Sequence, residues 1–291
     1  MLTKKVNKII KIIWNEFIYG GHLQCLGVIA IAYISSFVLN IKIHWEIFLL
    51  LYLIFYPIYI NDRLQGIKID AASNPERTKH FRKYIQIMPK IIIFSILFLV
   101  LLIIIFGNLN FLIFSLILLF FGLLYPYYFK NITEKIIAFK NFYVATFFAI
   151  IVIAPVIYNS YQLDFLSSLS LAILICFVFL KVVLMQILLD CKDVEGDKSL
   201  GLLTIPVLIG REKTFIFLRI LSASITTLIL FIAIFIFDVF PIQMLFLLLT
   251  IPFNFYSYNL AEKQNYYGYI LGSSESFFWL ILILFAKAII L

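Results

Sequence analysis

Four acidic residues lie within eight positions, Asp190 to Asp197, directly after a long apolar stretch. If that stretch continues as a helix, the i, i+3 and i+7 spacing places Asp190, Asp193 and Asp197 on one face and turns Glu195 away. Three carboxylates on one face repel one another and are costly at a membrane boundary unless a positive charge lies between them. Mg²⁺ commonly binds through a few carboxylates together with substrate phosphates. The segment therefore predicts a Mg²⁺–diphosphate site, with a solvated helix end as the alternative.

A second acidic segment, at positions 61–70, follows an earlier apolar stretch and contains Asn61, Asp62, Gln65 and Asp70. Four predicted membrane spans separate the two segments, so both leave the membrane on the same side. Two acidic helix ends on one side can converge on a single ion cluster. Arg77 follows closely and can hold phosphate oxygens in a bidentate fork, with ordinary loop charge as the alternative.

Other polar residues border the same side. Tyr125 and Lys130 lie in a Tyr-Pro-Tyr-Tyr-Phe-Lys run between two apolar stretches, and Asn141 begins the next stretch. A lysine and tyrosine hydroxyls here can cap a diphosphate, whereas the alternative is an interfacial aromatic belt with a snorkelling lysine. Gln186 lies four residues before Asp190, so a helix directs it into the bundle on the acidic face.

Membrane helices must position these residues. The chain has 291 residues, of which 64% are hydrophobic and 13% are charged, a balance that soluble domains do not have. Apolar runs of roughly 20 residues recur from end to end, so we expect an all-α polytopic membrane bundle forming one domain over residues 1–291. The nine candidate spans are 17–39, 45–60, 90–106, 110–124, 138–158, 165–189, 213–237, 240–258 and 270–290.

Charge gives the expected orientation. Most basic residues lie on one predicted side of the membrane, in the N-terminus and in the loops at 61–89, 125–137, 190–212 and 259–269. The positive-inside rule places that side, with the N-terminus and both acidic segments, in the cytoplasm beneath the plasma membrane. The net charge of +8 is therefore a topology signal and gives no support to a nucleic-acid partner.

The cysteines and an intramembrane lysine give weaker indications of function. The cysteines Cys25, Cys176 and Cys191 show no paired spacing, which gives no indication of a disulfide framework or a zinc site. Cys191 adjoins the acidic residues and is interpreted as incidental rather than nucleophilic. Lys181 lies inside a predicted span and is a functional candidate for that reason, but helix rotation places it roughly opposite the acidic face.

Together the two acidic segments resemble those of the UbiA-type intramembrane prenyltransferases, which include 4-hydroxybenzoate, menaquinone, haem and archaeal-lipid enzymes. The resemblance rests on Asn61-Asp62 after the second span and on Asp-x-x-Asp-x-Glu-Gly-Asp, beginning at Asp190, after the sixth. The run at 201–210 and the sequence Asn-Pro-Glu-Arg ending at Arg77 also resemble the family. The resemblance covers nearly the whole chain.

The resemblance implies Mg²⁺ ions that bridge both segments and an isoprenyl diphosphate. The allylic C–O bond breaks to give a carbocation, the isoprenyl tail lies in an apolar central cavity, and an aromatic, quinone-precursor or lipid acceptor attacks. The implied metal ligands are Asn61, Asp62, Asp70, Asp190, Asp193 and Asp197, of which Asp62, Asp190 and Asp193 are the catalytic set. The candidate substrate-binding residues are Gln65, Arg77, Tyr125, Lys130, Asn141 and Gln186. A terpene cyclase, or a non-catalytic protein that binds or transports diphosphate lipids, is the alternative.

The first segment departs from the family pattern, which reads Asn-Asp-x-x-Asp-x-x-x-Asp. Gln65 stands at the middle acidic position, Ile69 stands at the last one, and Asp70 comes one residue late. On a straight helix Asp70 lies about 80° round from Asp62. Gln65 keeps a carbonyl oxygen but removes one negative charge. We therefore expect weaker Mg²⁺ binding or an altered role at this segment.

Overall fold

The computed structural model describes residues 2–67, 71 and 74–290, with side chains from residue 9 onward. Within those residues every regular element is helical and no strand is present. Asp70 lies outside the described residues, so its role as a metal ligand stays a prediction.

Fifteen α-helices follow one another in the described chain, several of them extended by short 3₁₀ or π-helical turns. They are α1 (Leu2–Tyr19), α2 (His22–Val38), α3 (Trp45–Gly66), α4 (Pro75–Arg82), α5 (Met88–Phe106), α6 (Leu109–Leu124), α7 (Phe139–Ile150), α8 (Ala154–Tyr158), α9 (Phe165–Asp190), α10 (Val194–Ser199), α11 (Ile205–Ile209), α12 (Arg211–Phe231), α13 (Thr250–Glu262), α14 (Tyr266–Ser273) and α15 (Glu275–Ile289). The π-helical turns are Tyr125–Phe129 and Ile232–Ile236, and the 3₁₀ segments are Lys130–Glu134, Ile151–Ile153 and Ile242–Leu249.

The helices form a polytopic membrane bundle. Seven continuous helical stretches among the described residues are long and apolar enough to cross a membrane. Two further pairs are bent, α1 with α2 by 58° and α14 with α15 by 55°, and counting each pair as one span gives nine. At the first bend Gly21 has a φ of 86°. Glycine suits this left-handed conformation, and a side chain there would collide with the ring of Tyr59. The predicted all-α polytopic bundle is confirmed, and the seven to nine spans of the described residues are consistent with the predicted nine.

Apolar side chains cover both the inside and the outside of the bundle, as expected where the solvent is lipid. Phe94, Ile104 and Phe165 are mostly exposed, while Leu51 and Phe177 are fully buried in the core. At the centre α9 contacts α2, α7, α12 and α14. Because Asp190 is the last residue of α9, the most surrounded helix of the bundle carries the start of the second acidic segment.

A buried polar network joins four helices away from that segment. Lys181 Nζ on α9 lies 2.7 Å from Glu275 Oε1 on α15 and donates to the hydroxyls of Ser222 at 3.2 Å and Thr226 at 3.1 Å on α12. Asn254 on α13 donates to the same Glu275 oxygen at 2.9 Å. The Lys181 side chain is 1% exposed. The network therefore neutralises Lys181 by pairing. This pairing explains how a lysine is tolerated inside a span and away from the acidic segment.

Breaking this pair one side at a time should be more damaging than removing it whole. Glu275→Gln or Lys181→Met leaves one uncompensated buried charge and is expected to destabilise the fold by about 3–5 kcal/mol. The double substitution should lose less than the sum of the two single losses. Thermal unfolding of the purified protein in detergent measures all three variants. Strictly additive losses would contradict a direct Lys181–Glu275 interaction.

Candidate active site

One cavity of about 840 Å³ runs from the ends of α3 and α9 into the bundle. Its outer part is charged, because the carboxylates near the two helix ends line it. Asp62 lies four residues before the end of α3, and Asp190 is the last residue of α9. Its inner part is lined by Phe55, Phe148 and Met185, each more than one helical turn further in. The cavity therefore combines a polar mouth with an apolar interior.

The second acidic segment is not one continuous helix. The α9 helix ends at Asp190, a turn follows, and α10 begins at Val194, so the predicted single helical face is wrong. The turn closes through a hydrogen bond from Asp193 N–H to the Asp190 carbonyl at 2.9 Å, and Asp197 N–H donates to the Asp193 carbonyl at 2.8 Å. The three carboxylates still line the same cavity, because the turn folds the chain back beside the end of α9.

A lysine that the sequence analysis did not single out as a site residue lies between two of these carboxylates. Lys140 Nζ is 3.0 Å from Asp190 Oδ1 and 2.8 Å from Asp197 Oδ2, and its side chain is 14% exposed. The next residue, Asn141, donates to the other Asp190 oxygen at 2.7 Å. The cluster of like charges predicts a cation among the carboxylates. The spacing of residues along the chain does not identify that cation as Lys140.

Backbone contacts hold Lys140 in this place. Ala138, which precedes α7, has a φ of 54° and donates its N–H to the Leu203 carbonyl at 2.8 Å. Leu203 N–H in turn donates to the Thr133 carbonyl at 3.0 Å, and Thr133 Oγ1 accepts from Lys140 N–H at 3.0 Å. The start of α7 is thus bonded directly to the chain that follows Asp197.

The segment before α4 approaches the second acidic segment. Asn74 Nδ2 donates to Asp193 Oδ1 at 3.3 Å, and Lys192 Nζ donates to Asn74 Oδ1. Three residues further on, Arg77 lines the cavity. These contacts bring the two halves of the predicted site together on one side of the bundle.

Only part of the first acidic segment faces the cavity. Asp62 lines it, and its Oδ2 lies 3.6 Å from Nη2 of Arg63. Asn61 is buried and donates to the Leu123 carbonyl at 2.9 Å. Gln65 donates to the hydroxyl of Tyr127 at 2.7 Å, and the same hydroxyl donates to Asn61 Oδ1 at 3.4 Å. Asn61 and Gln65 therefore support the wall that carries Asp62.

Eight of the predicted site residues line the cavity, namely Asp62, Arg77, Tyr125, Lys130, Gln186, Asp190, Asp193 and Asp197. Asn61, Gln65 and Asn141 do not, and Asn141 lies fully buried behind Asp190. The cavity adds four charged residues that the sequence did not indicate, which are Arg63, Lys140, Lys192 and Glu195, together with several polar ones that include Tyr143. Glu195, which was predicted to turn away from the acidic face, lines the cavity as well.

The charges of the cavity wall balance. Its described lining contains five basic and five acidic side chains. Among the described residues, no three carboxylate, histidine or cysteine side chains come together closely enough to hold a metal ion. Asp62 and Asp193 nevertheless present hard oxygen ligands from different parts of the wall. This donor set fits a Mg²⁺ ion that completes its coordination with phosphate oxygens and water.

Comparison with known proteins identifies the family of the chain. Residues 86–282 match the UbiA prenyltransferase family, which is more than half of the chain. The chain belongs to this family. Membership identifies a multi-pass membrane protein of a family whose general reaction is prenyl transfer. No curated protein matches the chain.

Solved UbiA-type structures share the fold. The apo structure of a UbiA homologue from Aeropyrum pernix K1 has a TM-score of 0.69 and 13% identity, covering 91% of this chain and 97% of that one. A UbiA homologue from Archaeoglobus fulgidus bound to DMAPP and Mg²⁺ has a TM-score of 0.57 and 15% identity, covering 91% and 98%. A digeranylgeranylglyceryl phosphate synthase has a TM-score of 0.56 and 20% identity, covering 93% and 94%.

Cys191 lies in the turn after Asp190 and is 2% exposed. Burial, with the Asp190 carboxylate nearby, raises the pKa of its thiol to about 12. A thiol with that pKa stays protonated through the physiological range, whereas nucleophilic cysteines have a lowered pKa. This agrees with the interpretation of Cys191 as incidental.

The buried thiol should therefore resist alkylation. The raised pKa keeps the Cys191 thiol protonated at pH 8, and N-ethylmaleimide reacts with the thiolate. Peptide mass spectrometry after treatment of the folded protein is expected to find Cys191 unmodified, and treatment after unfolding should modify it. Rapid labelling of Cys191 in the folded protein would contradict the buried, protonated state.

Proposed function

We propose that the protein catalyses Mg²⁺-dependent transfer of an isoprenyl group from an isoprenyl diphosphate to an aromatic, quinone-precursor or lipid acceptor. The observation that carries the proposal is one cavity with a charged mouth and an aromatic, apolar interior. Such a cavity suits a ligand with a diphosphate head and a hydrocarbon tail. Family membership and the DMAPP- and Mg²⁺-bound homologue from Archaeoglobus fulgidus support the same class of substrate.

The diphosphate is bound at the mouth. Arg77 and Lys130 line this part of the cavity and donate to phosphate oxygens, the arginine through its planar fork. Lys192 lines it as well and is held by Asn74 beside Asp193. Asp62 and Asp193 would hold Mg²⁺ together with the phosphate oxygens. When bound, the ion supplies positive charge against the leaving group.

The chain's own residues then favour ionisation and protect its product. The cationic side chains at the mouth stabilise the negative charge that grows on the diphosphate as the allylic C–O bond breaks. The tail and the resulting carbocation lie against Phe55, Phe148 and Met185, which exclude water. Tyr143 lines the cavity and stacks on Tyr125 with 5.2 Å between the ring centroids, and an aromatic ring in the cavity wall can stabilise the cation by about 0.5–2 kcal/mol. An electron-rich acceptor carbon or oxygen forms the new bond and loses a proton.

We place the charged mouth on the cytoplasmic side of the plasma membrane. The mouth is formed by the ends of the second and sixth spans, and the basic N-terminus and loops lie on the same side by the count of spans. The positive-inside rule supports this orientation.

Turnover tests the proposal directly. Purified protein in lipid, supplied with isoprenyl diphosphates of several lengths, the three acceptor classes and Mg²⁺, should release diphosphate and form a prenylated product. Chelation should abolish both, and added Mg²⁺ should restore them. Asp193→Asn is expected to lower the rate by about 10²–10³, because it weakens the binding of the Mg²⁺ whose positive charge would stabilise the leaving diphosphate. Asp238→Asn is the matched control, since Asp238 is exposed in a loop between later spans and should keep the full rate.

Other results assign other functions. Hydrocarbon products without an acceptor would replace the proposal by a terpene cyclase. Saturable binding of the diphosphate with no release of diphosphate would make the protein a non-catalytic binder or transporter. Gln65, which stands at an acidic position of the family pattern and bonds to Tyr127, is the feature that would account for that last result.

A further inference from the structure

The contacts of Lys140 lead beyond the proposed function, on which the following inference rests. We propose that the Lys140 ammonium permanently occupies the second acidic segment and takes the place of a metal ion there. The site then binds one divalent cation per diphosphate, rather than several ions bridging both segments.

The Lys140 ammonium is paired with both carboxylates of the second acidic segment that lie beside it. Lys140 Nζ contacts carboxylates from two different elements, Asp190 at the end of α9 and Asp197 on α10, at 3.0 and 2.8 Å. The remaining oxygen of Asp190 accepts the hydrogen bond of Asn141 at 2.7 Å. Consecutive residues of one helical turn thus engage both Asp190 oxygens. A metal ion that reached Asp190 would have to share an oxygen with one of these donors or displace it.

Moving the Lys140 ammonium away from Asp190 and Asp197 would cost free energy. All three side chains of the cluster are largely buried, with exposures of 14% for Lys140, 8% for Asp190 and 9% for Asp197. An ammonium pushed from its two partners would remain in a poorly solvated site as an uncompensated charge, which is strongly unfavourable. The start of α7 is also bonded through Ala138 to Leu203, which limits any movement of the helix away from the carboxylates.

Carboxylates remain for one metal ion. Among the described residues of the two segments, Asp62, Asp193 and Glu195 line the cavity without contacting Lys140. Gln65, at an acidic position of the family pattern, is neutral and donates to Tyr127. Two carboxylates with substrate phosphates are sufficient for one Mg²⁺.

Charge balance agrees with a single ion. The five basic and five acidic side chains of the described lining cancel before any ligand binds. A diphosphate ester carries about two to three negative charges near pH 7, since a terminal phosphate titrates near pH 6. One divalent cation neutralises most of that charge, whereas a second would leave the mouth with excess positive charge.

Counting bound metal tests the inference without requiring turnover. Mn²⁺, a paramagnetic substitute for Mg²⁺, is titrated into the full-length protein in nanodiscs with saturating inorganic diphosphate, and electron paramagnetic resonance measures the free ion. The wild-type protein should bind one Mn²⁺ per chain. Lys140→Gln should bind two, because Asp190 and Asp197 become available, and Lys140→Arg should again bind one.

A matched control separates this role from general charge. Lys135→Gln removes a positive charge from the exposed segment just before α7, outside the cavity, and leaves both Lys140 ion pairs in place, so it should still bind one Mn²⁺. Two ions on the wild-type protein would overturn the inference, as would one ion on a folded Lys140→Gln protein. Monodisperse elution and a single cooperative unfolding transition identify folded variants. Failure of the wild-type protein to bind diphosphate at all would instead count against the proposed function.

Discussion

The site depends on how like charges are held together at the edge of a membrane bundle. Asp190 and Asp197 come from different helices and lie in one poorly solvated wall, where their mutual repulsion is strong. Lys140 lies between them, within 3.0 Å of both, and converts repulsion into two ion pairs. Without that ammonium, or another cation in its place, the two carboxylates would repel each other and the end of α9 and α10 would be held together less firmly.

The irregular parts of the chain serve this arrangement. A helix that continued beyond Asp190 would carry the later acids away along its axis, whereas the observed turn returns Asp197 to the level of Asp190. The left-handed residue Ala138 precedes α7, donates its N–H to the Leu203 carbonyl and lies two residues before Lys140. Short backbone bonds between two loops therefore determine the position of the lysine more than any feature of α7 itself.

The sequence was sufficient for whatever depends on composition or on residues close together in the chain. Apolar runs predicted nine spans because lipid solvates every such helix in the same way, and the acidic segments predicted a charged mouth because both end on one side. The break after Asp190 could not be predicted, since nothing in the local sequence forbids another helical turn there. Lys140 was equally hidden: a lysine at the start of a span is usually explained by snorkelling, and its partners are about 50 residues away. Gln65 could be recognised as a departure, but its bond to Tyr127 is a tertiary contact.

The two buried lysines show how exposure divides structure from function. Lys181 and Lys140 each require carboxylate partners, because an unpaired ammonium in this environment would be prohibitively costly. Lys181 is 1% exposed, bonds to Glu275, Ser222 and Thr226 on neighbouring helices and is not among the described residues that line the cavity, so its pairing holds the bundle together. Lys140 is 14% exposed and faces the cavity, so the same kind of pair there lies within reach of an incoming anion. Since an ammonium has three donors and Lys140 uses two on Asp190 and Asp197, one remains that can be directed to a phosphate oxygen without breaking either ion pair.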